Sequence, residues 1–250
     1  MTDQSVILQA MKQAVRKRSK RAAVARRVAG SFAAGSPAGP GQSSVAAGRG
    51  DARSTRAAAR REAILDAALD EFSAQGFAAA RLDDIATRAR VAKGTIYLYF
   101  ADKEMLFQEL IRARMGPVVG DLEAVFATEL PLRVIVEQAV DVFVREVFGT
   151  HRKQIIRLVI SEGPRFPAIA EFYYREVLTR ALGAVRAFLR RAQERGELAD
   201  DTIVRFPQLI AAPAVIAIIW SGLFEKFEPL DIRAMMRAHF KALFAPGRPA

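Results

Sequence analysis

From about Ser54 onward, apolar residues recur at intervals of three and four, and nowhere do they alternate with polar ones between hairpin turns; the chain therefore predicts an all-α fold of about nine helices. A first helix runs from about Ser54 to Gln75 and stops at Gly76, a natural residue for a helix C-terminus. Two short patterns follow, Leu82 to Arg88 and Lys93 to Tyr99. A longer helix starts at Asp102, a good N-cap, and continues to about Thr128 with a kink expected at Gly116-Pro117. After Pro131, an apolar stripe of Val134, Val136, Val140, Phe143, Val147 and Phe148 marks the next helix. Further helices are expected over 151–161, over Pro167 to Arg195 with a stop at Gly196, over about 201–225 and over 230–244.

The two short patterns are the informative ones, because only a few residues separate them and so little chain permits only a tight helix–turn–helix corner. In the first, Ile85, Ala86 and Ala89 lie on one side, and Asp83 and Asp84 occupy the first turn, where carboxylates suit the positive end of the helix dipole. In the second, Ile96, Tyr99 and Phe100 face inward. Lys93, Gly94, Thr95, Tyr97 and Leu98 are left toward solvent or toward whatever the helix docks on. A cation, a bare backbone, a hydroxyl and a phenol at a helix start suit phosphate oxygens and base edges. The plainer reading is a wetted helical corner.

The residues from about Arg60 through Leu110 resemble the DNA-binding domain of TetR-type transcriptional repressors. Ile64-Leu65-Asp66-Ala67-Ala68, Phe72 and Gly76-Phe77 carry the likeness in the first helix. Asp84-Ile85-Ala86, then Lys93 through Phe100, then Asp102-Lys103-Glu104 and Leu106 continue it in order. The resemblance implies a small helix–turn–helix domain followed by a larger helical domain that binds a ligand and dimerises through its last two long helices. It implies that Thr95 and Tyr97 meet bases or nearby phosphates, that Lys93, Tyr99 and Lys103 fix the register on the backbone, and that Gly94 lets the helix start come close. This chain departs from the family at three positions: Arg81 stands where a capping Ser or Thr is usual, Arg90 where the turn usually has Gly, and Ala92 where the second helix usually starts after a hydroxyl residue. A lost N-cap costs about 0.5–2 kcal/mol. Arg81 and Arg90 supply charge instead, so Arg81 joins the DNA-binding set.

Charge refines this picture. The net charge is +11, but residues 1–60 hold 12 Lys and Arg against 2 Asp and Glu, whereas residues 61–250 hold 26 against 25. Over 61–112 the balance is 7 basic to 9 acidic. The domain is thus no broad basic patch, and phosphate contacts must come from individually placed Arg81, Arg88, Arg90, Lys93 and Lys103, with Arg53, Arg56, Arg60 and Arg61 adding to them. The sequence divides into a basic, disordered arm and linker over 1–52, the helix–turn–helix domain over 53–112, the ligand-binding and dimerisation domain over 113–245, and a flexible tail over 246–250. A nascent basic helix is expected over 6–29 and a Gly/Ser/Pro-rich linker over 30–50. Three readings of the arm stay open: an extension without folded role or an over-long start, a basic tail that raises non-specific DNA affinity, and a targeting peptide.

With no cysteine and only His151 and His239, the chain offers no disulfide, no metal-ligand spacing and no paired nucleophile and base. No enzyme, metal or cofactor is expected. The uncharged run Leu209–Phe224 has 16 residues, fewer than the roughly 20 a bilayer needs, so it reads as a helix buried on both sides, against its own domain and a second subunit. The implied unit is a homodimer in the cytoplasm, associated with the nucleoid, with double-stranded DNA and a small-molecule effector as partners and no membrane. Candidate walls of an effector pocket are Phe126, Phe143, Phe148, Phe166, Phe172, Tyr173 and Trp220; packing aromatics give the same pattern, and the apolar bias favours a hydrophobic or amphipathic effector. Two other readings remain: a small-molecule-binding helical protein or enzyme that has kept an unused helix–turn–helix, and an architectural DNA-coating protein driven by the arm.

Overall fold

The computed structural model describes residues 44–198 and 201–244, with side chains from Ser54 on; the helix expected over 6–29, the linker up to residue 43 and the tail 246–250 lie outside the described residues. Packing is described for the unit Arg53–Ala250. Among the described residues every regular element is helical. Helix α1 (Ser44–Ala79) begins earlier than the expected Ser54, inside the stretch read as linker. Gly48 and Gly50 suggested a linker there, yet each costs a helix only about 1 kcal/mol, and Ala46, Ala47 and Ala52 favour it. At Gly76 the backbone leaves the helix at φ 76°, as the sequence predicts.

Helices α2 (Leu82–Arg88) and α3 (Lys93–Tyr99) have the bounds read from the sequence. Helix α4 (Lys103–Phe126) starts on the Asp102 carboxylate, which accepts the Met105 backbone N–H at 2.7 Å, and carries Pro117 within it. Helix α5 (Leu132–Val142) widens into a π-helical turn over Phe143–Phe148, and α6 (Arg152–Glu162) follows. Helix α7 (Pro167–Tyr173) runs through a π-helical segment, Tyr174–Leu178, into α8 (Thr179–Glu194). Gly196, at φ 71°, closes that run with the Glu197 N–H on the Ala192 carbonyl at 2.9 Å. The single helix expected over 201–225 is two, α9 (Thr202–Arg205) and α10 (Gln208–Leu223), divided at Pro207, which has no N–H to continue the first. Helix α11 (Ile232–Leu243) starts on the Asp231 carboxylate.

Helix α4 is the spine, in contact with α5, α6, α7 and α8, while α10 packs on α6 and α11, and α11 on α5. One buried core joins Ile64, Leu65, Phe72, Ile85, Ile96 and Phe107 of the first four helices to Ile155 and Leu158 of α6 and to Ile169, Phe172 and Tyr173 of α7. A second core gathers α5, α8, α10 and α11 around Ile135, Phe188, Leu189, Ala217 and Phe240. The helix–turn–helix is therefore held on the same core as α6 and α7. Phe77 is its hub, 5.5 Å from Phe72, 5.6 Å from Phe107 and 5.0 Å from Phe166 in the turn before α7. Gly76 is favoured here by its φ, and a Cβ would displace the Glu162 carboxylate, whose Oε1 would lie 2.9 Å from it.

Candidate nucleic-acid interface

The turn between α2 and α3 is closed by backbone hydrogen bonds without a side-chain cap at either helix start. Neither Arg81 nor Ala92, at the two N-cap positions, makes a side-chain cap. Arg90 donates its N–H to the Thr87 carbonyl at 3.1 Å and Val91 donates to Ala86 at 3.0 Å, a Schellman closure with Arg90 at the position where glycine is usual. Its φ of 55° makes it the non-glycine residue with left-handed backbone among the described residues. The turn thus keeps its geometry without the usual residue, at a local cost.

Buried Ile96 anchors α3, and Tyr99 leans half-buried against the core with its ring 6.2 Å from that of Phe100. Outward lies a stripe at i, i+3 and i+4: Gly94, where an added Cβ would meet nothing within 4 Å, Tyr97, 49% exposed, and Leu98, 83% exposed. Thr95 is half-buried beside it. The stripe therefore offers a bare backbone, one phenol and one aliphatic side chain.

Several cations expected to reach phosphates hold partners inside the molecule. Lys93 pairs with Asp83 at 2.6 Å, and that carboxylate, through its hydrogen bond first and its charge second, pushes the ammonium pKa up. Asp83 Oδ1 is buried without a hydrogen-bond partner. Arg88 donates twice to Glu71 Oε2, at 3.2 and 2.9 Å, and Glu71 is the buried charged residue of α1. Lys103 donates to the carbonyls of Phe77 and Ala78 at 2.9 and 2.7 Å and lies 4.9 Å from the Phe77 ring, so it caps the end of α1. Arg61 pairs with Glu109 on α4. Arg81, Arg90, Arg56 and Arg60 are exposed. These bonds tie α1, α2, α3 and α4 into one unit, and any phosphate contact by Lys93 or Lys103 is made by an ammonium already oriented.

The seven residues expected to wall an effector pocket fall into separate clusters. Phe166, Phe172 and Tyr173 pack in the core shared with the helix–turn–helix, where burial pushes the Tyr173 phenol well up. Phe126 lies in the second core 5.4 Å from Phe188, Phe143 and Phe148 tilt together at 6.4 Å, and Trp220 meets Phe224 edge-to-face at 5.2 Å while donating to the Glu228 carbonyl at 2.8 Å. A groove of about 130 Å³ between α5 and α11 is lined by Val136, Val140, Phe240 and Phe244, with Arg133, Glu137, Arg237 and Lys241 at its rim. It uses none of the seven. Periodicity marks these aromatics as inward-facing and says nothing of which core each enters.

A short helix pair with one exposed stripe, mounted on a helical body, defines a helix–turn–helix DNA-binding regulator. Residues 64–110 match the family model described as bacterial regulatory proteins of the tetR family, and residues 131–238 match the tetracyclin repressor-like C-terminal domain. The chain is 28% identical over 194 residues to the HTH-type transcriptional regulator SrpR of Pseudomonas putida, covering 77% of this chain and 89% of that protein. To the HTH-type transcriptional repressor BepR of Brucella suis biovar 1 it is 35% identical over 153 residues, 58% of this chain and 71% of that one. In fold it is similar to the transcriptional regulator FadR of Bacillus subtilis, solved in complex with stearoyl-CoA, with a TM-score of 0.58 and 21% identity over 75% of this chain and 99% of that one. The chain belongs to the TetR family of transcriptional regulators. No helix among the described residues is long and apolar enough to cross a membrane.

Proposed function

We propose that this regulator is a ligand-responsive repressor that binds a palindromic operator as a homodimer and is released by a small molecule. Residues 53–112 read DNA and residues 113–245 dimerise and bind the effector. The exposed α3 stripe carries this reading, because an anchored short helix that shows backbone, phenol and aliphatic carbon to solvent matches the base edges of a major groove. Thr95 and Tyr97 meet bases or adjoining phosphates, Arg81, Lys93, Tyr99 and Lys103 set the register, and Gly94 permits close approach. One such helix reads too few base pairs for specificity, which two half-sites related by a twofold axis supply.

Dimerisation is supported by α10, where Val215, Ile216 and Leu223 are exposed along a helix without charge, with Phe224 and Phe227 exposed just beyond it. Burying that face against its own copy satisfies it. The stearoyl-CoA seated in one structural relative and the apolar helical interior of this chain support a hydrophobic or amphipathic effector, and a coupling of about 1–3 kcal/mol between the two sites suffices for release. Phe126, Phe143, Phe148, Phe166, Phe172, Tyr173 and Trp220 remain the proposed contacts. Selection of bound duplexes from a random pool tests the reading: a palindrome with half-sites about one helical turn apart is expected. Affinity that is salt-sensitive and blind to sequence overturns it.

A further inference from the structure

Leu98 is the most exposed large apolar side chain described, at 83%, and it sits on the outward face of a helix whose other large outward side chain is a phenol. No described residue covers it, and one isolated isobutyl group is far too small a patch to dock a protein. Its neighbours on the stripe, Gly94 and Tyr97, leave the approach to it open. It offers neither donor nor acceptor. Of the groups the base pairs display in a major groove, the thymine 5-methyl is the apolar one that projects toward the protein; cytosine has only a hydrogen at that position, and each donor or acceptor loses a water hydrogen bond if an isobutyl group is pressed on it. We propose that Leu98 is a specificity-determining residue that reads the 5-methyl of one thymine in each half-site.

This inference rests on the DNA-binding reading above, with α3 in the major groove. It assigns the two outward side chains different tasks. Tyr97 makes polar contacts, which a base edge or a phosphate can accept, whereas Leu98 selects by apolar contact and by excluding polar edges. An A·T pair is then fixed at one position per half-site, with its thymine on the strand nearest Leu98.

The test uses the full chain and the palindrome enriched from a random pool. Each thymine of a half-site is replaced in turn by deoxyuridine, which removes the methyl and leaves the pairing edge intact. One replacement should weaken wild-type binding about fourfold per half-site, the equivalent of about 0.8 kcal/mol for one buried methyl. Leu98→Ala should show less than a 1.5-fold response to that same replacement, while Leu98→Gln, which carries a donor and an acceptor, should shift selection at this position away from thymine. Both variants should unfold at the wild-type temperature, since Leu98 is 83% exposed. A palindrome in which no deoxyuridine replacement separates wild type from Leu98→Ala, or at which Leu98→Gln still selects the same thymine, overturns the proposal and leaves DNA reading intact. Failure to enrich any palindrome overturns the DNA reading itself.

Discussion

Helices α3 and α10 both leave apolar carbon in solvent, and the contrast between them separates two kinds of partner. On α3 the exposed stripe is one turn long, mixes a phenol with a single aliphatic group, and is flanked by Arg81, Lys93 and Arg90. On α10 the exposure runs over two turns through Val215, Ile216 and Leu223, then on to Phe224 and Phe227, with no charge between Leu209 and Phe224. A narrow mixed stripe between cations suits a polar, negatively charged surface with few apolar groups. A long uncharged face suits a surface like itself. On the proposed function, two helices of one chain thus use side-chain chemistry, at equal helical geometry, to choose between nucleic acid and protein.

Placing a charge on the α10 face should break that comparison most severely. Ile216→Asp should convert the dimer to monomers in analytical ultracentrifugation and lower operator affinity by more than about 100-fold, because two half-sites no longer act as one. A variant that stays dimeric, or a monomer that binds as tightly as wild type, removes α10 from the interface. The corresponding change on α3 should leave assembly untouched. Tyr97→Ala should lower affinity for the operator by about 10-fold or more in anisotropy titrations, at about 1–3 kcal/mol per lost base contact, with the dimer and the unfolding temperature unchanged. Equal affinity would show that the phenol is merely wet.

The order of helices and the exact limits of α2 and α3 are legible in the sequence because they depend on contacts three and four residues apart, on Asp102 as a cap and on Gly76 and Gly196 as stops. The partners of the charges are not. Arg88 meets Glu71 and Lys103 meets the carbonyls of Phe77 and Ala78 only after α2 and α4 have folded back on α1. A charge count along the chain sees Lys103 as a cation available to phosphate. The structure shows it closing a helix end, and the two roles make different predictions. The aromatic residues of the larger domain illustrate the same limit: Phe126 and Phe172 share a pattern, yet they enter different cores.

Lys103→Ala therefore sharpens the contrast between structure and recognition. Losing a charged group's hydrogen bonds to two carbonyls costs about 1.5–3 kcal/mol, so the melting temperature should drop by several degrees, at about 2–4 °C per kcal/mol for a chain of this size. Operator affinity should fall severalfold, and the slope of log affinity against log salt should become shallower by about one unit per half-site if the ammonium also neutralises a phosphate. A lower melting temperature with an unchanged slope would restrict Lys103 to capping, and an unchanged melting temperature would contradict the geometry described.

The smallest effect is expected at the turn joining α2 and α3. Arg90 holds a left-handed backbone, at φ 55°, that costs a residue with a Cβ about 1–2 kcal/mol, and its place in the Schellman closure is one that glycine fills without strain. Part of that gain is offset, because glycine has more freedom to lose on folding, by roughly 0.5–1 kcal/mol. Arg90→Gly should consequently raise the melting temperature by a degree or two while changing operator affinity by less than about twofold. If affinity instead falls severalfold and the salt slope becomes shallower, the arginine is there for a phosphate, and the strain at this turn is the cost of keeping a cation beside α3. If the melting temperature falls, the Arg90 side chain contributes packing that its exposure conceals. Either way, the measurement tells whether the departure from glycine at this corner belongs with the α3 stripe or only with the fold beneath it.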